Sequence, residues 1–195
     1  AMLHPNVCRA LAHCSSLTKL HLTHFPINQE GIDELTNTFS NFSHLTELNC
    51  DLLELTPDVE LDRWWSSFSH LPLRSLSLTR MKLSPQQIWP GLVSLPSTLC
   101  ALHLTENGVD QEVMLHLLKC DQLSQLSHLA ISHSTATFDF DLDVQVIQFF
   151  PQLGQYWSYQ QRGYAEEDYE DQQDMEVMMA NKRKVVSKLV EWAFP

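Results

Sequence analysis

Histidine is the most chemically suggestive residue type in this chain. There are ten histidines, and five of them (His21, His24, His103, His128 and His133) fall where a short extended segment is predicted. Neighbouring imidazoles suggest a metal site or a pH switch. No second pair at ligand spacing supports either, so a polar, solvated surface is the preferred reading and no metal or cofactor is assigned. Other catalytic patterns are missing. The five glycines stand singly, so no phosphate-cradling loop is written. No G-x-S-x-G, H-E-x-x-H or Cys-x-x-Cys occurs. The chain is read as a non-enzyme.

Whether those histidines meet depends on the segments that carry them, and leucines set those segments. Leu99, Leu102, Leu104, Asn107 and Val109 follow L-x-x-L-x-L-x-x-N-x-L with Val at the last place. Leu17-Leu20-Leu22, Leu45-Leu48-Cys50, Leu73-Leu76-Leu78 and Leu126-Leu129-Ile131 scan alike. The first leucines are 28, 28, 26 and 27 residues apart, and a further step of 27 reaches Leu153. A sustained period in the twenties means stacked units that bury one continuous core. Side chains alternate along a strand, so Leu20 and Leu22 face inward while His21 faces out.

This pattern resembles the leucine-rich repeat family, in its ribonuclease-inhibitor-like, mostly intracellular branch. The resemblance covers residues 1–159. It implies an α/β solenoid, or horseshoe, with a parallel concave sheet and convex helices. The family often has Asn or Cys at the ninth place. Here Phe25, Leu53, Met81, Asn107 and Ser134 stand there. Only Asn107 matches, so the other turns are expected to be held by packing.

Three parts are expected. Residues 1–16 form a partial repeat or N-terminal cap helix, with Ala1 before Met2 read as a cloning remnant. Residues 17–159 hold five repeats and a degenerate sixth. Residues 160–195 hold an acidic stretch, Glu166 to Glu176, and a C-terminal capping helix with a Met, Val, Leu and Trp stripe. Along the chain, Pro5 to Ser16 reads as one helix, and Ile32, Leu35, Phe39 and Phe42 as the stripe of another. Thr56-Pro57 reads as a cap and first helical residue. Ser84 to Gln87 reads as a capping box. Pro90-Gly91 is expected to end that helix early, and Asp110 to cap the next. Phe138 to Asp143 alternates apolar and acidic residues. Trp64 and Trp65 lie about 100° apart on a helix; at least one is expected in the core, and packing of both is the preferred reading over an exposed convex anchor.

A net charge of −12 argues against nucleic acid and anionic membrane as partners. No apolar run is long enough to span a bilayer. The five cysteines are irregularly spaced and read as buried, reduced thiols, which fits an intracellular, cytoplasmic location. The outward face of the sheet is the candidate site for a partner protein. Its residues include His21, Asn49, Ser77, Arg80, His103 and His128, with Trp157 and Tyr159 at the C-terminal edge. The expected protein is a monomer that binds another protein. Three rival roles are a bacterial effector acting in host cytoplasm, the substrate-recognition arm of a ubiquitin ligase, and a GTPase regulator of the Ran type. For the last, Arg80 is the one arginine in a suitable position.

Overall fold

The computed structural model describes residues 5–133, 145–146, 148–150 and 152–160. The leucine places become strands. These are β1 (Lys19–His21), β2 (Pro26–Ile27), β3 (Glu47–Asn49), β4 (Glu54–Leu55), β5 (Ser75–Ser77), β6 (Ala101–Val109), β7 (His128–His133) and β8 (Gln155–Gln160). One six-stranded sheet runs β1-β3-β5-β6-β7-β8, and β2 pairs with β4 in a second ladder. Every pairing is parallel. Leu20, Leu48, Leu76, Leu102 and Leu129 align across the sheet, and Tyr156 continues the row. All five leucines are buried. Each contributes roughly 1.5–3 kcal/mol relative to exposure, so a one-residue slip would turn the whole row to water. The register is therefore fixed.

The eighth place of the first four units holds a left-handed residue. His24, Leu52, Arg80 and Glu106 have φ of 61°, 60°, 61° and 56°. None is glycine, so each carries roughly 1–2 kcal/mol of steric strain. His24 is exposed, so it tests this cleanly. His24→Gly should be neutral or raise the melting temperature, because the relief offsets glycine's extra chain entropy. His24→Val should lower it, since a β-branched side chain fits that region worst. Thermal melts of the pair check the order.

At the ninth place Leu53 and Met81 are buried, so packing does hold those turns, as expected. Phe25 departs from this and is 37% exposed.

Among residues 5–133, five α-helices return the chain: α1 (Pro5–Leu11), α2 (Gln29–Phe39), α3 (Asp62–Ser67), α4 (Pro85–Leu92) and α5 (Gln111–Leu117). Asn28 caps α2 by accepting the Gly31 N–H at 3.0 Å. Ser84 N–H donates to Gln87 Oε1 at 3.0 Å, one half of the capping box. Asp110 accepts the Val113 N–H at 2.9 Å. Ile32, Leu35, Phe39 and Phe42 are all buried.

Several sequence readings need correction. The first helix stops at Leu11, and turns replace its second half. Thr56-Pro57 does not open a helix. Thr56 carbonyl accepts from Val59 N–H at 3.2 Å to make a turn, and α3 begins at Asp62. That delay lets Val59 and Leu61 bury before the helix starts. Pro90-Gly91 does not end α4, which continues to Leu92. The reason is tertiary: the Trp65 ring lies on the backbone at Gly91, and its Nε1 donates to the Gln87 carbonyl at 2.7 Å.

Both tryptophans are buried, as the packing reading expected, and neither is a convex anchor. Trp64, Trp65 and Phe68 meet edge to face, with centroids 5.2, 4.7 and 5.6 Å apart. Such pairs add to the core beyond their buried area. The cysteine reading is half right. All five are free, and Cys8, Cys50 and Cys120 are buried with thiol pKa values pushed up by that burial. Cys14 is exposed and Cys100 half-buried. Among the described residues no helix is long and apolar enough to cross a membrane. The acidic stretch and the terminal helix expected within 160–195 fall outside the described residues.

Candidate functional site

The outward row of the sheet begins with a charge cluster. Lys19 and Glu47 are opposite each other on β1 and β3. Lys19 Nζ lies 2.7 Å from one Glu47 oxygen, and His21 Nε2 lies 2.9 Å from the other. Bonding from Lys19 first, and from His21 second, holds the Glu47 carboxyl below the usual carboxylate range. A lowered carboxylate stabilises the fold above its unfolded-state pKa and loses that effect as pH falls through its folded value. Glu47→Gln should therefore melt slightly below wild type at neutral pH, and the two should converge in acid. The gap stays small, and added salt should shrink it, because the cluster is exposed to solvent.

Further along, the face is tied together rather than open. Asp51 Oδ1 accepts from Ser77 Oγ at 2.6 Å and from the Thr79 N–H at 2.7 Å. Asn49 Oδ1 accepts from the Asp51 N–H at 2.9 Å. Thr105 Oγ1 donates to Thr79 Oγ1 at 3.2 Å, and the Glu106 N–H donates to Ser132 Oγ at 2.5 Å. These seventh-place side chains form a polar seam across β3, β5, β6 and β7. Alternation along the strand puts them on the outward face, but their role as a seam is not written in the alternation. Their signal was plain: Thr23, Asp51, Thr79, Thr105 and Ser132 are all small polar residues.

The structure sorts the candidate residues by what each is free to do. Ser77 faces outward by alternation, yet it is only 8% exposed and its hydroxyl is committed to Asp51. Asn49 is half-buried and likewise engaged. Arg80 is exposed and forms an ion pair with Glu106 at 2.7 Å. His21 is engaged by Glu47. His103 is exposed. His128 is exposed and shares a 2.8 Å hydrogen bond with Ser127 Oγ. Trp157 and Tyr159 lie on β8, where Trp157 pairs with Ala130 and Tyr159 with Ser132; their side chains fall outside the described residues, as does that of His133.

His21, His103 and His128 do not converge. His21 is three strand spacings from His103, roughly 14 Å. His103 pairs with Ala130 and His128 with Ala101, which sets the two imidazoles on a diagonal. No group of three His, Cys, Asp or Glu side chains able to hold a metal ion exists among the described residues.

Parallel strands in register, each returned by a helical segment, define a mixed α/β repeat fold of the leucine-rich-repeat-like kind. A solved structure with this fold is the tropomodulin C-terminal domain of Caenorhabditis elegans. The likeness has a TM-score of 0.56 at 15% identity and covers 74% of this chain and 92% of that one. No family model and no curated protein matches the sequence. At that identity the likeness speaks for the fold.

Proposed function

We propose that this chain is a leucine-rich-repeat solenoid whose sheet is the concave side, and that it works as a non-enzymatic protein-binding module. The carrying observation is the division of labour across the sheet. One face buries a leucine from each repeat, while the other presents a preorganised polar array on strands of fixed register. A rigid polar surface binds without a large ordering cost. The fold-level likeness to a repeat domain supports the same reading. Within the face, His103, His128 and the Arg80–Glu106 pair are the side chains positioned to meet a partner, and Ser77 and Asn49 hold the frame. Trp157 and Tyr159 would extend the surface at the C-terminal edge.

The test is photo-crosslinking in cell lysate with a benzophenone side chain at His103 or Ala101 on the sheet. Arg63 on α3 and Glu112 on α5 serve as helix-side controls. A defined partner crosslinked from the sheet positions and absent from both controls supports the reading. Crosslinks confined to the helix side overturn it.

A further inference from the structure

The helix layer changes character along the chain. The exposed positions of α2 and α3 are polar, among them Glu30, Asn37, Asp62, Arg63 and Ser66. On α4 and α5, which lie side by side, apolar side chains reach the surface. Val93, at the end of α4, is 65% exposed, and Leu115 on α5 is 41% exposed. Trp89 is half-buried and stands four residues before Val93, so the two share one side of that helix. A single exposed leucine is ordinary, but an indole, a valine and a leucine on adjoining helices make a patch.

The patch is rigid. The Trp89 ring stacks on His116, with centroids 4.8 Å apart and planes 29° apart. His116 is held in turn, because its Nδ1 donates to the Glu112 carbonyl at 2.8 Å. Gln122 Nε2 donates to the Leu92 carbonyl at 3.1 Å, which ties the end of α4 to the segment after α5. A surface fixed in this way loses little freedom when it is covered.

Charge says what covers it. Glu112 and Lys119 are exposed, and neither forms an ion pair among the described residues. Arg9, Lys19, Arg63 and Arg80, by contrast, each pair with a carboxylate. Glu112, Leu115 and Lys119 follow i, i+3, i+7 spacing and so lie along one face. The turn carries on past the last residue of α5, since Lys119 N–H donates to the His116 carbonyl at 3.0 Å. The point between Leu115 and His116 is midway between the two charges. A two-fold axis through that point would lay two copies of α5 antiparallel, with Glu112 of each against Lys119 of the other. Each Leu115 would then meet the Trp89–His116 stack of the second copy.

We propose that the α4–α5 surface binds a second copy of this chain, in an antiparallel pair centred on Leu115 and framed by two Glu112–Lys119 ion pairs. The site lies in the helix layer, apart from the sheet face assigned to a partner protein, so either can fail without the other. The proposal departs from the monomer expected from the sequence, and sedimentation decides between them. The net charge of −12 opposes self-association at long range, so the measurement belongs at physiological ionic strength, where that repulsion is screened.

Analytical ultracentrifugation of the whole chain should show a concentration-dependent monomer–dimer equilibrium. Leu115→Asp should leave only monomer. Glu112→Lys and Lys119→Glu should each weaken the dimer about tenfold or more, because each sets like charges against one another at both ends of the contact. Both also oppose the α5 dipole, so a thermal melt first shows that each folds. An equal mixture of these two variants should then restore the dimer to near wild-type strength. Mixing leaves each helix as it was, so only contact between copies can produce the rescue. A wild type that stays monomeric at millimolar concentration overturns the proposal. So does a dimer that survives Leu115→Asp, which would place the interface elsewhere, and so does a mixture no tighter than either variant alone. A benzophenone side chain at Leu115 that crosslinks a different protein, with the wild type monomeric, would make that protein the occupant and would also overturn it.

Discussion

Gly91→Ala should unfold this protein's middle repeats at temperatures where the wild type is intact. In an exposed helix the same change would add roughly 1 kcal/mol of stability, because alanine has the higher helix propensity. Here the sign reverses. An added Cβ would stand 2.1 Å from Cδ2 of Trp65 and 2.3 Å from its Cε2. The ring cannot yield cheaply. It is buried, packed edge to face against Trp64 and Phe68, and held by the Nε1 bond to the Gln87 carbonyl. Overpacking at such a site costs roughly 3 kcal/mol. For a domain of this size that lowers the melting temperature by roughly 6–12 °C. Chemical denaturation of Gly91→Ala, Trp65→Leu and the double variant checks the cause. The double variant should recover much of the loss, since the smaller side chain removes the clash. A Gly91→Ala protein as stable as wild type would mean that α4 does not lie on Trp65.

The second large effect belongs to Asn107. It is the one ninth-place residue that matches the family pattern, and it is buried. Its Nδ2 donates to the Leu78 carbonyl at 2.8 Å and the Leu104 carbonyl at 3.2 Å, while its Oδ1 accepts from the Leu83 N–H at 3.0 Å. One side chain thus satisfies backbone groups of two successive repeats. Asn107→Leu keeps the volume but orphans the Leu83 N–H and the Leu78 carbonyl, at roughly 1–3 kcal/mol for each buried group. The expected loss is about 3 kcal/mol. Faster native-state hydrogen exchange at Leu83 should accompany it, because that amide loses its acceptor. Asn107→Asp should be no milder, since it places a charge in the same buried site and removes both donated bonds. If Asn107→Leu left stability and the Leu83 amide unchanged, the turn would be held by packing, as it is at Leu53 and Met81.

Both predictions lie where reading the chain alone stops working, and the reason is the same in each. The leucine places settled the strand register because a period of 26 to 28 residues states which side chains share a row, and burial of that row is worth too much to slip. The caps at Ser84 and Asp110 were legible because they are local chemistry, complete within four residues. The polar face was legible as a face, since alternation alone puts His21 and His103 opposite the leucines. What those residues do was not legible. Ser77 and His103 occupy the same place in successive repeats, yet Ser77 is committed to Asp51 and His103 is exposed. That difference depends on a neighbour 26 residues away whose side chain length sets the bond. Pro90-Gly91 was misread for a related reason. Local rules make the pair a helix breaker, but Trp65 arrives from the preceding repeat and needs a helix surface with no side chain. The sequence by itself determined the repeat, the row and the outward face, because periodic burial is written in residue type. Only the tertiary structure decided which outward residues are free and which glycine is indispensable, because those depend on contacts between repeats that residue type does not encode.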